Sequence, residues 1–89
     1  KRIHVIISGR VQGVFFRHNT KKVADRLNLK GWVKNNSDGT VEAVFEGDND
    51  SVNKIVEWCK KGPIGAKVEN VDLEEENHKN EFKNFSIVY

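Results

Sequence analysis

Two amphipathic helical patterns lie in this chain, and each has an apolar stripe to bury. The second is the cleaner: Val52, Ile55, Val56 and Cys59 recur at i, i+3, i+4 and i+7, the spacing of one helix face. In the first, Thr20, Val23, Ala24 and Leu27 share a face, while Lys21, Lys22, Asp25 and Arg26 fall on the other. A chain of 89 residues can build one modest core and has no room for a second lobe. Both helices must therefore cover the same partner, and the alternating apolar runs around them make that partner a sheet.

Residues 2–8 read as its first strand. Ile3, Val5 and Ile7 alternate with Arg2 and His4, and Ile6 is apolar as well, so the strand belongs inside the sheet and not at its edge. The first helix runs from about Phe16 to Leu27, ended by Asn28 or Lys30-Gly31. Gly31 to Asn35 and Thr40 to Glu46 are two β-prone runs around the polar turn Asn36-Ser37-Asp38-Gly39, a hairpin. In its second arm Val41, Ala43 and Phe45 face the core, and Thr40, Glu42, Val44 and Glu46 face away. Asp48 or Asp50 caps the second helix, and Lys60-Lys61-Gly62-Pro63 stops it. Lys67 to Leu73 reads as a strand in which Val68 and Val71 break strict alternation. Glu74 to Glu81 reads as an acidic loop, and the later part of Phe82 to Tyr89 as a final strand. The order β-α-β-β-α-β plus a short C-terminal strand fits an α+β fold, the ferredoxin-like α/β sandwich, an antiparallel sheet with both helices on one face. No repeat or linker divides residues 1–89, which are expected to form a single, free-standing domain.

Composition excludes several classes of function. The net charge is +2 with both signs spread along the chain, so there is no extended nucleic-acid footprint. No apolar run approaches the ~20 residues of a membrane helix. The one cysteine, Cys59, rules out an intrachain disulfide and reads as a small core residue, which fits a reducing, cytoplasmic compartment. No secretory signal is visible, although the chain opens on Lys1 and not on methionine, so that observation weighs little. His4, His18 and His78 fall in three different elements without metal-ligand spacing. Asp48-Asn49-Asp50 lacks the length and the bidentate glutamate of a calcium loop, and helix capping accounts for it.

The chemistry concentrates between the first strand and the first helix, in Gly9-Arg10-Val11-Gln12-Gly13-Val14-Phe15-Phe16-Arg17. Such a loop can turn its backbone N–H groups toward one point, where an anion sits on the helix N-terminus. Arg17 lies at the positive end of the helix dipole, an unfavourable placement by about 0.3–1 kcal/mol at an exposed site, unless a negative group joins it. A solvated arginine accounts for the same stretch. Asn35 closes the strand before the hairpin turn; turn chemistry accounts for it and Asn36, whereas a functional role requires it to face the loop. An arginine, a ring of amides and an asparagine together suit phosphoryl transfer to water. Arg17 and the amides would hold the phosphoryl oxygens, and the Asn35 carbonyl would accept a hydrogen bond from the attacking water. With a good leaving group no metal or covalent nucleophile is required, but spacing alone does not name that group.

These stretches closely resemble the acylphosphatase family. Gly9 to Arg17 looks like its first signature, and Gly31-Trp32-Val33-Lys34-Asn35 with Asp38-Gly39-Thr40-Val41 looks like its second, at matching separation. The likeness covers nearly the whole chain, including Gly62-Pro63 and Phe85-Ser86-Ile87. It implies hydrolysis of an acyl phosphate to a carboxylate and inorganic phosphate, with no metal or cofactor. By position it makes Arg17 the phosphate-binding arginine and Asn35 the residue that orients water. Gln12, Gly13, Val14, Phe15 and Phe16 become the backbone cradle, Phe15 and Phe16 at positions the family varies. The expected partner is a small-molecule acyl phosphate, with no nucleic acid and no membrane, and the chain is expected to act as a monomer. Two other functions compete. RNA binding on the open sheet face would meet repulsion from Glu42 and Glu46. A non-catalytic anion-binding module would use the loop alone.

Overall fold

The computed structural model describes residues 1–89. Its elements are β1 (Arg2–Arg10), α1 (Phe16–Arg26), β2 (Lys30–Asn35), β3 (Val41–Glu46), α2 (Asn49–Lys61), β4 (Lys67–Glu76) and β5 (Phe85–Val88). The sheet order is β4-β1-β3-β2-β5. The pairs β1–β3, β1–β4 and β2–β3 are antiparallel, as expected of the sandwich, and the short β5 adds to β2 in parallel. The chain adopts the ferredoxin-like α+β sandwich, and β1 lies inside the sheet with a neighbour on each side.

The alternation in β1 and β3 sets the core. Ile3 lies opposite Phe45, Val5 opposite Ala43 and Ile7 opposite Val41, and all six are buried. Phe16, Thr20 and Ala24 of α1 and Val52, Ile55, Val56 and Cys59 of α2 close over them. Two aromatic pairs fill the wider gaps: Phe45 stacks on Phe85 at 5.6 Å, and Phe16 meets Trp58 at 5.5 Å in a tilted arrangement. Asp48 is the cap of α2, its carboxylate accepting the Ser51 N–H at 2.9 Å. Val44 points away from the helices, yet it is buried between its cross-strand neighbours His4 and Trp32.

One feature of β4 departs from expectation, and another accounts for the irregularity expected there. Glu74 to Glu76 continue the strand and do not form a loop. Acidic residues are poor strand formers, but β1 offers ladder partners as far as Arg2, which pairs with Glu76 and bonds its carboxylate at 2.8 Å. The broken alternation at Val68 and Val71 is a β-bulge. Ser8 pairs with Asn70 and Gly9 with Val68, which leaves Glu69 as the extra residue. Gly9 is required there: its φ is +121°, and a Cβ would stand 2.2 Å from the Lys67 carbonyl oxygen.

Residues 77–84 carry the chain from β4 at one edge to β5 at the other, passing the Arg2 end of the sheet. Glu46 anchors this strap. Its Oε2 accepts the N–H groups of Lys79 (2.9 Å) and Asn80 (3.3 Å), which buries a carboxylate that faces away from the helices. Arg2 completes the anchor through Glu81 at 2.6 Å and lies over the Phe82 ring. No helix is long and apolar enough to cross a membrane. Because β1, β2 and β5 run in the same direction, their C-terminal ends meet at the opposite end of the sheet.

Candidate active site

At that end the loop after β1 turns into α1. Gly13 has φ +75°, and Phe15, at the cap position of the helix, is left-handed with φ 59° and ψ 29°. None of the backbone N–H groups from Gly13 through His18 donates a hydrogen bond within the chain; the first helical bond runs from the Asn19 N–H to the Phe15 carbonyl. No side chain caps this terminus, and its first turn holds no acidic residue. The unpaired amides and the dipole therefore face outward together.

A cleft of about 400 Å³ opens there. The loop and α1 contribute Val11, Gly13, Phe15, Phe16, Arg17 and His18, β2 contributes Asn35, and the end of β5 contributes Ile87 and Tyr89. Arg17 is half-buried and makes no ion pair; its guanidinium lies 4.9 Å from the centre of the Tyr89 ring. The cleft thus brings Arg17 and Asn35 together. Turn chemistry does not engage Asn35. Asn36 does that work, its N–H bonding the Thr40 carbonyl at 2.8 Å and its Nδ2 bonding Thr40 Oγ1 at 3.0 Å, with Asp38 accepting from Thr40. Asn35 Oδ1 is buried and has no hydrogen-bond partner. A buried acceptor left in that state costs about 1–3 kcal/mol.

The expected cradle residues divide. Gly13, Phe15, Phe16 and Arg17 line the cleft, whereas Gln12 and Val14 do not. The Gln12 side chain turns to the hairpin, its Nε2 donating to the carbonyls of Asn36 (2.7 Å) and Thr40 (3.0 Å), and so ties the loop to the strand end that carries Asn35. Val14 packs against the core and borders a neighbouring groove. Val11, His18, Ile87 and Tyr89 are lining residues that the sequence did not single out. His18 was signalled only by following Arg17, and nothing local announced that β5 would bring Tyr89 onto the arginine.

The remaining reactive groups lie elsewhere. His4 pairs with Glu42 at 2.6 Å on the open face, where that bond, against the effect of burial, holds the Glu42 carboxyl below its ordinary range. Arg2 is held by Glu76 and Glu81 at the far end of the sheet, outside the cleft. Cys59 is fully buried, and burial pushes its thiol pKa up.

A two-layer α/β sandwich with an arginine and free amides at the head of its first helix is an α+β protein with a cleft suited to an anion. The family model described as Acylphosphatase matches residues 3–87, and the chain belongs to that family. It is 56% identical over 88 residues to an acylphosphatase of Pyrobaculum aerophilum, covering 98% of this chain and 93% of that one. Among solved structures, the acylphosphatase from Bacillus subtilis superposes with a TM-score of 0.95 at 40% identity, covering 99% of this chain and 98% of that one. An acylphosphatase from Coxiella burnetii gives 0.93 at 46% identity, covering 98% and 90%. The chain is a hydrolase of the acylphosphatase family, acting on a small-molecule acyl phosphate.

Proposed function

We propose that the cleft at the head of α1 binds the phosphoryl group of an acyl phosphate and positions a water molecule to displace the carboxylate. The observation that carries this reading is Arg17: a half-buried cation with no carboxylate partner, beside a run of unpaired amides and across from Asn35. The phosphoryl oxygens would take N–H groups from among Gly13, Phe15, Phe16, Arg17 and His18, and the guanidinium fork. In a loose transition state charge spreads over those oxygens, so donors already in place stabilise it without reorganising. Asn35 orients the nucleophile. Turning its amide about the last side-chain bond brings Oδ1 to the cleft, where it accepts a hydrogen bond from water. Water attacks phosphorus, the bond to the bridging oxygen breaks, and the products are the carboxylate and inorganic phosphate. A carboxylate leaves without protonation, so no general acid is needed, and these groups supply the chemistry without a metal. In this reading residues 1–89, which hold all of these groups, act as a single domain and as a monomer.

The test is hydrolysis of benzoyl phosphate in the presence of EDTA, for wild type and Asn35→Ala. Turnover is expected to survive EDTA and to fall at least ~10²-fold in the variant, as misplacing a reacting group does. Titration with inorganic phosphate is expected to be nearly unchanged. Loss of phosphate binding as well would refute the water-orienting role. A folded wild type that binds phosphate but hydrolyses nothing would make the site a non-catalytic anion sensor.

A further inference from the structure

We infer that Phe15 and the groove beside it select acyl phosphates with a bulky apolar acyl group, aromatic in the simplest case, over small ones. The inference rests on the phosphatase reading above. Phe15 combines two unfavourable conditions. Its backbone is left-handed, a conformation that glycine or asparagine enters with less strain, and its ring is 78% exposed. A bend alone would not require an aromatic residue there.

The position of the ring supplies the reason. Phe15 lines the phosphate cleft and also a second groove of about 350 Å³ between α1 and the end of α2. Val14 and Trp58 border that groove from the core side, and Ile64, fully exposed, stands on its wall beside Pro63. With the phosphoryl group on the amides of residues 13–18 and water on the Asn35 side, in-line geometry sends the acyl group away from Asn35. The ring of Phe15 joins the two depressions, so an acyl group crossing it meets Val14 and Ile64 beside Asn19, whose Nδ2 is already donated to the Phe15 carbonyl at 2.9 Å. Lys22 and Arg26 lie farther along the rim; at the rise of a helix, Lys22 is ~10 Å beyond Phe15 and outside the reach of a benzoyl ring.

The experiment compares kcat/KM for benzoyl phosphate and acetyl phosphate in wild type, Phe15→Asn and Ile64→Ser. Asparagine tolerates the left-handed backbone, so the first variant removes the ring and keeps the bend. Position 64 is wholly exposed, so the second leaves the fold untouched. The benzoyl-to-acetyl ratio is expected to fall about tenfold in Phe15→Asn and about threefold in Ile64→Ser, the latter through KM for benzoyl phosphate. A ratio unchanged in both variants, with wild type active on both substrates, overturns the inference and leaves the phosphatase reading standing. Wild type inactive on both substrates overturns the two together. A ratio that depends on enzyme concentration would mean that a second copy of the chain occupies the groove, and would also overturn the assignment.

Discussion

Arg17 is the one permanent cation in the cleft, and its guanidinium is steadied by the face of Tyr89. Arg17→Ala is expected to lose at least ~10²–10³ in kcat/KM, the loss seen when one donor to developing charge is removed. Arg17→Lys should recover only part of it, because an ammonium is a point charge and cannot reproduce a planar fork. Steady-state kinetics on benzoyl phosphate decide this, and near-normal turnover in the lysine variant would rule out a two-pronged contact. Arg17 could be singled out in the sequence because its charge opposes the dipole of the helix at whose start it lies, although a solvated arginine accounted for the stretch as well. Asn35 was not legible by itself. Asparagine serves turns and sites equally well, and the choice between them waits on seeing Asn36 take up the turn. The contribution of Tyr89 could not be read at all, since it depends on the direction in which β5 joins β2.

The two helices were predictable because a stripe at helical spacing has one way to be buried: the α2 stripe is buried as read, while in α1 Thr20 and Ala24 are buried together with Phe16, and Val23 and Leu27 only half-buried against the core. Strand β4 was harder. Its acidic stretch has little intrinsic preference for extension, and only the ladder offered by β1 holds it there. The irregular valines recorded the bulge without revealing its partner. Gly9 is where that bulge becomes testable. Gly9→Ala places a methyl group against the Lys67 carbonyl at a φ that L-residues avoid, so either β4 shifts or the backbone strains. The variant is expected to lose about 1–3 kcal/mol, read as a lower urea midpoint with an unchanged slope. An undiminished midpoint would mean that the bulge relaxes freely.

Across the whole molecule, the strap over the Arg2 end ties the two edges of the sheet to each other through Glu46. Burial pushes the Glu46 carboxyl up, but the N–H groups of Lys79 and Asn80, with the charges of His78 and Arg2, prevail and hold its pKa below the ordinary 4.5. A carboxyl lowered on folding contributes stability that is complete above its unfolded value and lost as pH falls through its folded one. Glu42, Asp38 and Asp48 are also held low, so they act in the same direction. Wild type should therefore weaken steadily as pH drops below about 4.5. Glu46→Gln should start less stable near neutrality and lose less on acidification, which urea titrations at the two extremes would show; parallel losses would remove Glu46 from the acid response. The sheet order also governs how the molecule reaches this state. The hairpin of β2 and β3 closes locally, but β1 must find Ala43 for Val5 and Leu73 for the same residue, and Arg2 must find Glu76. Chain entropy has to be surrendered over long loops before those pairings return any energy. The helices can flicker into being early, yet they have no surface to lie on until the two ends of the chain meet. Such a topology belongs among slow folders, in the range of milliseconds to seconds, and the cleft at the head of α1, drawn from three distant strand ends, is assembled only at the close of that search.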